Sequence, residues 1–261
     1  MPVYSRYTAE PAMNCPKCRQ ALAAPSEICP HCGIVFAKYR KYHAEPSAQP
    51  HEPPPVVVLD EDNPTHFLFD DAQQGALAYF LGRSLVWLGL MVWSWRLMGA
   101  SIDSNAVGES FLHLVNLPFH EAGHVIFRPF GAFITSLGGT LGQLLMPLIC
   151  AVTLLLKTRD PFGASVALWW LGESFLDIAP YMNDARAGQL PLLGGNFGHS
   201  SPYGFHDWEY LLTETGLLQY DHSLAKAVFV LGCIVMLLAM LWGGLVLLRQ
   251  YKRLIAGQSE S

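Results

Sequence analysis

The chain has 261 residues, of which 51% are hydrophobic and only 14% charged, with a formal net charge of −5. An ordinary soluble domain carries about a quarter charged residues, so this chain is short of what a water-facing surface needs. The mild acidity argues against a nucleic-acid partner, which wants a basic face, and the apolar residues gather into long blocks, as in a membrane protein with a soluble front end.

The first thirty residues lack the basic flank and apolar run of a secretion signal, which predicts a cytoplasmic amino terminus. Residues 15–32 then read CPKCRQALAAPSEICPHC. Cys15 and Cys18 form one C-x2-C pair, and Cys29 and Cys32 a second. Each pair on a tight turn aims two sulfurs at one point, and four thiolates close a tetrahedron around Zn²⁺. Two disulfides are the alternative, disfavoured where the cytoplasm keeps thiols reduced. Gly33 suits the left-handed turn of such a knuckle, and His31 is expected to be a bystander beside four sulfurs. The segment resembles the zinc-ribbon knuckles of many bacterial proteins over about residues 13–40, and such modules stabilise a fold or bind a partner, here a cytoplasmic protein. The expected first domain is 1–43, and the proline-bearing stretch 44–74 is expected to be an extended linker.

A membrane domain is expected over 75–253, all-α, with a short cytoplasmic tail at 254–261. Four stretches approach the roughly 20 apolar residues that span a bilayer: 75–98, 138–156, 164–183 and 224–247. Cys150 and Cys233 fall inside them as small apolar fillers. The KTRD loop at 157–160 and the RQYKR segment at 249–253 are basic and predict cytoplasmic ends, whereas SIDSNAVGES after the first span has no basic residue and is predicted outside. Both termini are then cytoplasmic, as in a bacterial inner-membrane protein. Residues 110–134 lie between an outward and an inward span, so they are expected to form a re-entrant or interfacial helix that dips into the membrane, or lies along it, from the outer side without crossing.

That segment holds NLPFHEAGHVIF, residues 116–127. His120 and His124, one helical turn apart, can reach one Zn²⁺ from the same face. Glu121 sits where a carboxylate can take a proton from a metal-held water. Pro118 fits a first helical turn with Asn116 as its cap, and the small Ala122 and Gly123 let a neighbouring helix approach. The motif and its apolar setting resemble membrane zinc metallopeptidases of the site-2 type, over about residues 110–190. The resemblance implies hydrolysis of peptide substrates near the membrane. Those enzymes take a third ligand from an aspartate in a Leu-Asp-Gly triplet, which this chain lacks.

A catalytic zinc wants three protein ligands and one open position. Asp184, at the outer end of the third hydrophobic stretch, is the first choice for the third ligand. Glu173 follows, then His206 in GFHDWEY, then Asp177. Glu173 and Asp177 form E-S-F-L-D, which looks like the thermolysin-type pattern of a ligand glutamate and a histidine-orienting aspartate. If the histidine helix stays shallow, Asp184 and His206 are at its level; if it reaches mid-bilayer, Glu173 is. His206, oriented by Asp207, is also a candidate to stabilise an oxyanion. His113 reads as a packed histidine, and His199 and His222 as loop residues. The Gly- and Pro-rich loop 185–222 is expected to cap the metal.

The expectation is a zinc peptidase acting at the outer membrane face. The rival is a zinc-bearing membrane scaffold or signalling protein, whose metal site is saturated by four protein ligands.

Overall fold

The computed structural model describes residues 14–22, 26–43, 68–69 and 77–259. It divides into two units, Met1–Val58 and Leu59–Ser261. Of the expected linker 44–74, all but Leu68 and Phe69 lies outside the described residues. Among the described residues the structure is all-helical, with only isolated β-bridges.

The first unit is a pair of matching knuckles. Asn14 bridges Ala21 and Ile28 bridges Val35, each antiparallel. In each knuckle the amide of the first cysteine reaches a carbonyl five residues on, Cys15 to Gln20 and Cys29 to Ile34. The turns close when the N–H of Arg19 donates to Cys15 O and that of Gly33 to Cys29 O. Gly33 has φ 70°, the left-handed turn expected there, and Arg19 holds the same conformation at φ 60° in the other knuckle. Helix α1 (Phe36–His43) follows.

The second unit is built from α2 (Leu77–Met98), α3 (Phe111–Phe127), α4 (Ala132–Leu156), α5 (Pro161–Asn183), α6 (Asp207–Glu214) and α7 (Asp221–Ser259). Three helical stretches are long and apolar enough to cross a membrane: Leu77–Met98, Ala132–Leu156 and Leu218–Ala256. The fourth expected span, α5, has 23 residues, but its composition differs because its surroundings are protein. Fifteen of the 23 are buried, among them Ser165, Glu173, Ser174 and Asp177. The last helix also runs on to Ser259, through most of the segment expected to be a separate tail.

Contacts fix the helix directions. Arg83 pairs with Asp160 at 2.7 Å and Ser94 accepts from the Trp169 indole at 2.7 Å, so α2 and α5 run parallel. Gly172 lies against Gly232 and Met236, and Ser165 against Gly243, so α7 is antiparallel to α5. Helices α3 and α4 form an antiparallel hairpin joined by Arg128–Phe130 and by Gly131 at φ 94°. Their backbones nearly touch. A Cβ on Gly123 would lie 2.0 Å from the Gly138 carbonyl oxygen, and one on Gly142 would lie 2.3 Å from that of Phe119. Small residues spaced by four let helices approach in this way.

Between α2 and α3 the chain turns back into the bundle. Asp103 accepts from Asn183 at the end of α5 at 3.0 Å, and Val107 is buried in the cluster of Leu97, Trp169, Leu176 and Met236. Helix α3 then runs parallel to α5, with His113 beside Asp177 and His120 near Tyr181. It starts at Phe111, not at Pro118. Pro118 is interior, and Asn116 is no cap but a fully buried network residue. The pattern misled because a polar residue before a proline serves equally well as a cap or as a buried hydrogen-bonding group.

Candidate metal centres

In the first unit, Cys15, Cys18, Cys29 and Cys32 converge into a group that could hold a metal ion. The Sγ atoms of Cys15 and Cys32 are 3.7 Å apart, as are those of Cys18 and Cys29. Sulfurs placed tetrahedrally at about 2.3 Å from a zinc ion would be about 3.8 Å from one another, so the spacing fits a four-sulfur site. Burial opposes ionisation of Cys15, but N–H groups of Cys18 and Lys17 and the neighbouring thiols outweigh it and bring that thiol down to about 6. At Cys18 the Gln20 amide favours the thiolate, yet burial and the other three sulfurs push it up to about 12. One negative charge is welcome there; four need a cation. His31 is exposed and outside the group.

In the second unit, the group that could hold a metal is His120, His124 and Asp207. Nε2 of His120 lies 3.2 Å and Nε2 of His124 3.3 Å from the same Asp207 oxygen, Oδ2. Nitrogen and oxygen ligands at about 2.0–2.1 Å around a tetrahedral cation would be about 3.3 Å apart. Two of the three, His124 and Asp207, are also oriented from behind. His124 donates through Nδ1 to the Thr135 carbonyl at 2.8 Å, which turns Nε2 toward the other two donors. The other Asp207 oxygen accepts from the Ser136 hydroxyl at 2.7 Å, and the Asp207 N–H donates to the Tyr181 hydroxyl at 3.0 Å. Burial would raise the Asp207 carboxyl, but hydrogen bonds from His120 and His124 overcome it and hold the group well below the usual carboxylate range.

The space at the convergence point comes from Gly139. A Cβ there would lie 2.5 Å from Nε2 of His124 and 2.6 Å from Nε2 of His120. No larger residue fits under the two ligand nitrogens. On the other side the group opens into a cavity of about 1340 Å³. Glu121 and Tyr181 line it, as do Leu190–Leu193 and Tyr203–Phe205 of the loop after α5.

The four residues ranked for the third ligand are elsewhere. Asp184 accepts backbone N–H bonds from Gln189 and Leu190 at 2.9 and 2.8 Å, pinning the start of the loop. Arg186, two residues on, pairs with Asp221 at 2.7 Å. His206 is 1% exposed and caps α6. Its Nδ1 accepts from the Glu209 amide, and its Nε2 faces Asp184 at 3.6 Å. Asp207, placed in the sequence as the partner of His206, is the residue that points at His120 and His124. Depth explains the order: the group sits at the level of the last turns of α5, so the deeper Glu173 and Asp177 are out of reach.

Those two acids belong to a buried network. Asn116 donates to Glu173 Oε2 and to Asp177 Oδ2, both at 3.0 Å. Gln143 donates to the same Asp177 oxygen at 2.8 Å, and His113 meets the other oxygen at 2.9 Å. The indole of Trp170 donates to Asn116 at 2.8 Å. The aspartate of E-S-F-L-D does orient a histidine, but the histidine is His113, two turns before His120. His199 bonds the Gly188 carbonyl and His222 the Asn183 amide oxygen, both apart from the metal group.

No protein-family model, curated protein or solved structure matches this chain.

Proposed function

We propose that the chain is a membrane-embedded, zinc-dependent hydrolase acting on peptide bonds, in the manner of the site-2 type that the HEAGH helix resembles. One observation carries the reading: three donors, His120, His124 and Asp207, share one point over Gly139 and face an open cavity that Glu121 lines. Three protein donors with room beside them suit catalysis, whereas a structural site is closed by four. The same count favours the hydrolase over the membrane scaffold.

A zinc ion held by His120, His124 and Asp207 would polarise a carbonyl and make a water acidic enough to deprotonate near neutral pH. Glu121, on the cavity lining, would take a proton from the attacking water as its oxygen bonds the carbonyl carbon, and return it to the leaving nitrogen as the C–N bond breaks. Ser136 and Thr135 hold the ligands in orientation. The loop of Leu190–Leu193 and Tyr203–Phe205 covers the far side, where an extended peptide would lie.

The proposed setting is a four-crossing bundle with α5 as its central crossing. At 23 residues α5 is about 34 Å long, enough for a hydrocarbon core of about 30 Å. The basic 157–160 loop is at the opposite end of α5 from the metal group, which supports a cytoplasmic loop and an outward-facing active site. The four-cysteine unit is then a cytoplasmic zinc ribbon, suited to a protein partner. Glu121→Gln is the test: cleavage of quenched fluorescent peptides in micelles should be lost while metal content is unchanged. Undiminished cleavage would refute the general-base role.

A further inference from the structure

We propose that the phenol of Tyr181 is a catalytic group, the hydrogen-bond donor to the carbonyl oxygen of the substrate as negative charge builds on it. The proposal rests on the hydrolase reading above and adds a residue to it.

The sequence offered His206 for this role, and the structure removes it: His206 is buried and does not line the cavity. Tyr181 does line it, with His120, Glu121 and Asp207. Its hydroxyl oxygen is occupied as an acceptor by the Asp207 N–H at 3.0 Å. A phenol that accepts one bond still has its proton to give, and among the described residues no acceptor takes it. Asp207 therefore does two things at once. Its carboxylate meets the two histidines and its amide fixes the phenol beside them, so the donor is registered on the metal group by a single residue. The ring centroid of Tyr181 is 6.4 Å from that of His120.

The phenol is also braced. Its ring lies over that of His206, with centroids 4.3 Å apart and planes 31° from parallel. His206 in turn is fixed by the Glu209 amide on one nitrogen and faces Asp184 with the other. Asp184 is held by two backbone amides. Asp184 and His206 are thus positioning residues, and their burial gives Tyr181 the rigidity that lets a donor act without reorganising as charge develops. The ligand class follows: a planar acyl group that becomes tetrahedral, as in a peptide or other amide.

Tyr181→Phe removes the hydroxyl and keeps the ring on His206. Full-length wild type, Tyr181→Phe and Glu121→Gln would be purified in micelles and loaded with cobalt(II). They would then be compared in metal content, visible spectrum, affinity for a phosphinic peptide that mimics the tetrahedral state, and cleavage of a quenched fluorescent peptide. For Tyr181→Phe the expected result is unchanged metal content and spectrum, KM within about twofold, and kcat lower by about 10²–10³-fold, with weaker phosphinic-peptide binding. Wild-type kcat and affinity in Tyr181→Phe would overturn the proposal; if Glu121→Gln is inactive in the same experiment, the hydrolase reading survives without it. Loss of cobalt from Tyr181→Phe would also overturn it, since the phenol would then only support the ligands. A wild type that neither cleaves peptide nor binds the phosphinic probe through its metal would overturn both.

Discussion

The two metal-capable groups of this chain solve opposite problems. In the four-cysteine unit the donors come from two short turns within one small segment, and the four sulfurs surround their centre. At the membrane group the donors come from two distant places, α3 and the start of α6, and leave one side open to a cavity. A closed sphere can only hold structure together, whereas an open one can admit a substrate. The supports differ in the same way. Backbone turns suffice for the cysteines, but the histidines and Asp207 need Thr135, Ser136, Tyr181 and the absent side chain of Gly139 to keep three donors aimed with one position free.

That contrast can be broken one group at a time. Gly139→Ala should have the largest effect on the membrane group, because its Cβ would press on both ligand nitrogens; metal analysis of the purified protein should fall from two ions per chain to one, the survivor at the cysteines. Cys18→Ser should do the reverse, removing the ion of the first unit and leaving the metal and thermal melting of the second unchanged. Ser136→Ala strips one bond from behind Asp207 and should weaken metal at the membrane group by about 10–100-fold, measurable by competition with a chelator, with the four-sulfur ion unaffected. A smaller effect is proton release. Cys18 is held at about 12 without a cation, so at neutral pH it must lose its proton when zinc binds. Zinc titration of the first unit should acidify a weakly buffered solution, and the affinity should drop as pH falls.

How much of this was legible in the sequence follows the range of the interactions. The knuckles are local, and two C-x2-C pairs with a glycine after the second are enough to foresee the convergence of Cys15, Cys18, Cys29 and Cys32. The pairing of His120 and His124 is equally local, set by one helical turn. The third donor is not. Asp207 arrives from 83 positions after His124, and four other residues at plausible depth competed for the place. The dipeptide His206–Asp207 reads in the sequence with the roles reversed: histidine to the site and aspartate behind it. Only the cap made by His206 at the start of α6, which fixes its ring on the Glu209 amide while the next carboxylate meets the two histidines, decides between them. Glu173 and Asp177, on a four-residue spacing, read equally as ligands or as hydrogen-bonding links between helices, and they are links; their partners Asn116 and Gln143 come from other helices and carry no local sign of it. Gly139 gave no sequence signal beyond a run of small residues; its role exists only where α4 passes under the histidines.

X-ray absorption at the zinc edge of the intact protein, compared with Cys18→Ser, tests the central claim most directly. The variant should retain one zinc with nitrogen and oxygen neighbours at about 2.0–2.1 Å, three from the chain and one from solvent, and the difference between the two spectra should be sulfur at about 2.3 Å. A Cys18→Ser protein devoid of metal, or one whose zinc is ringed by four side chains, would contradict the account.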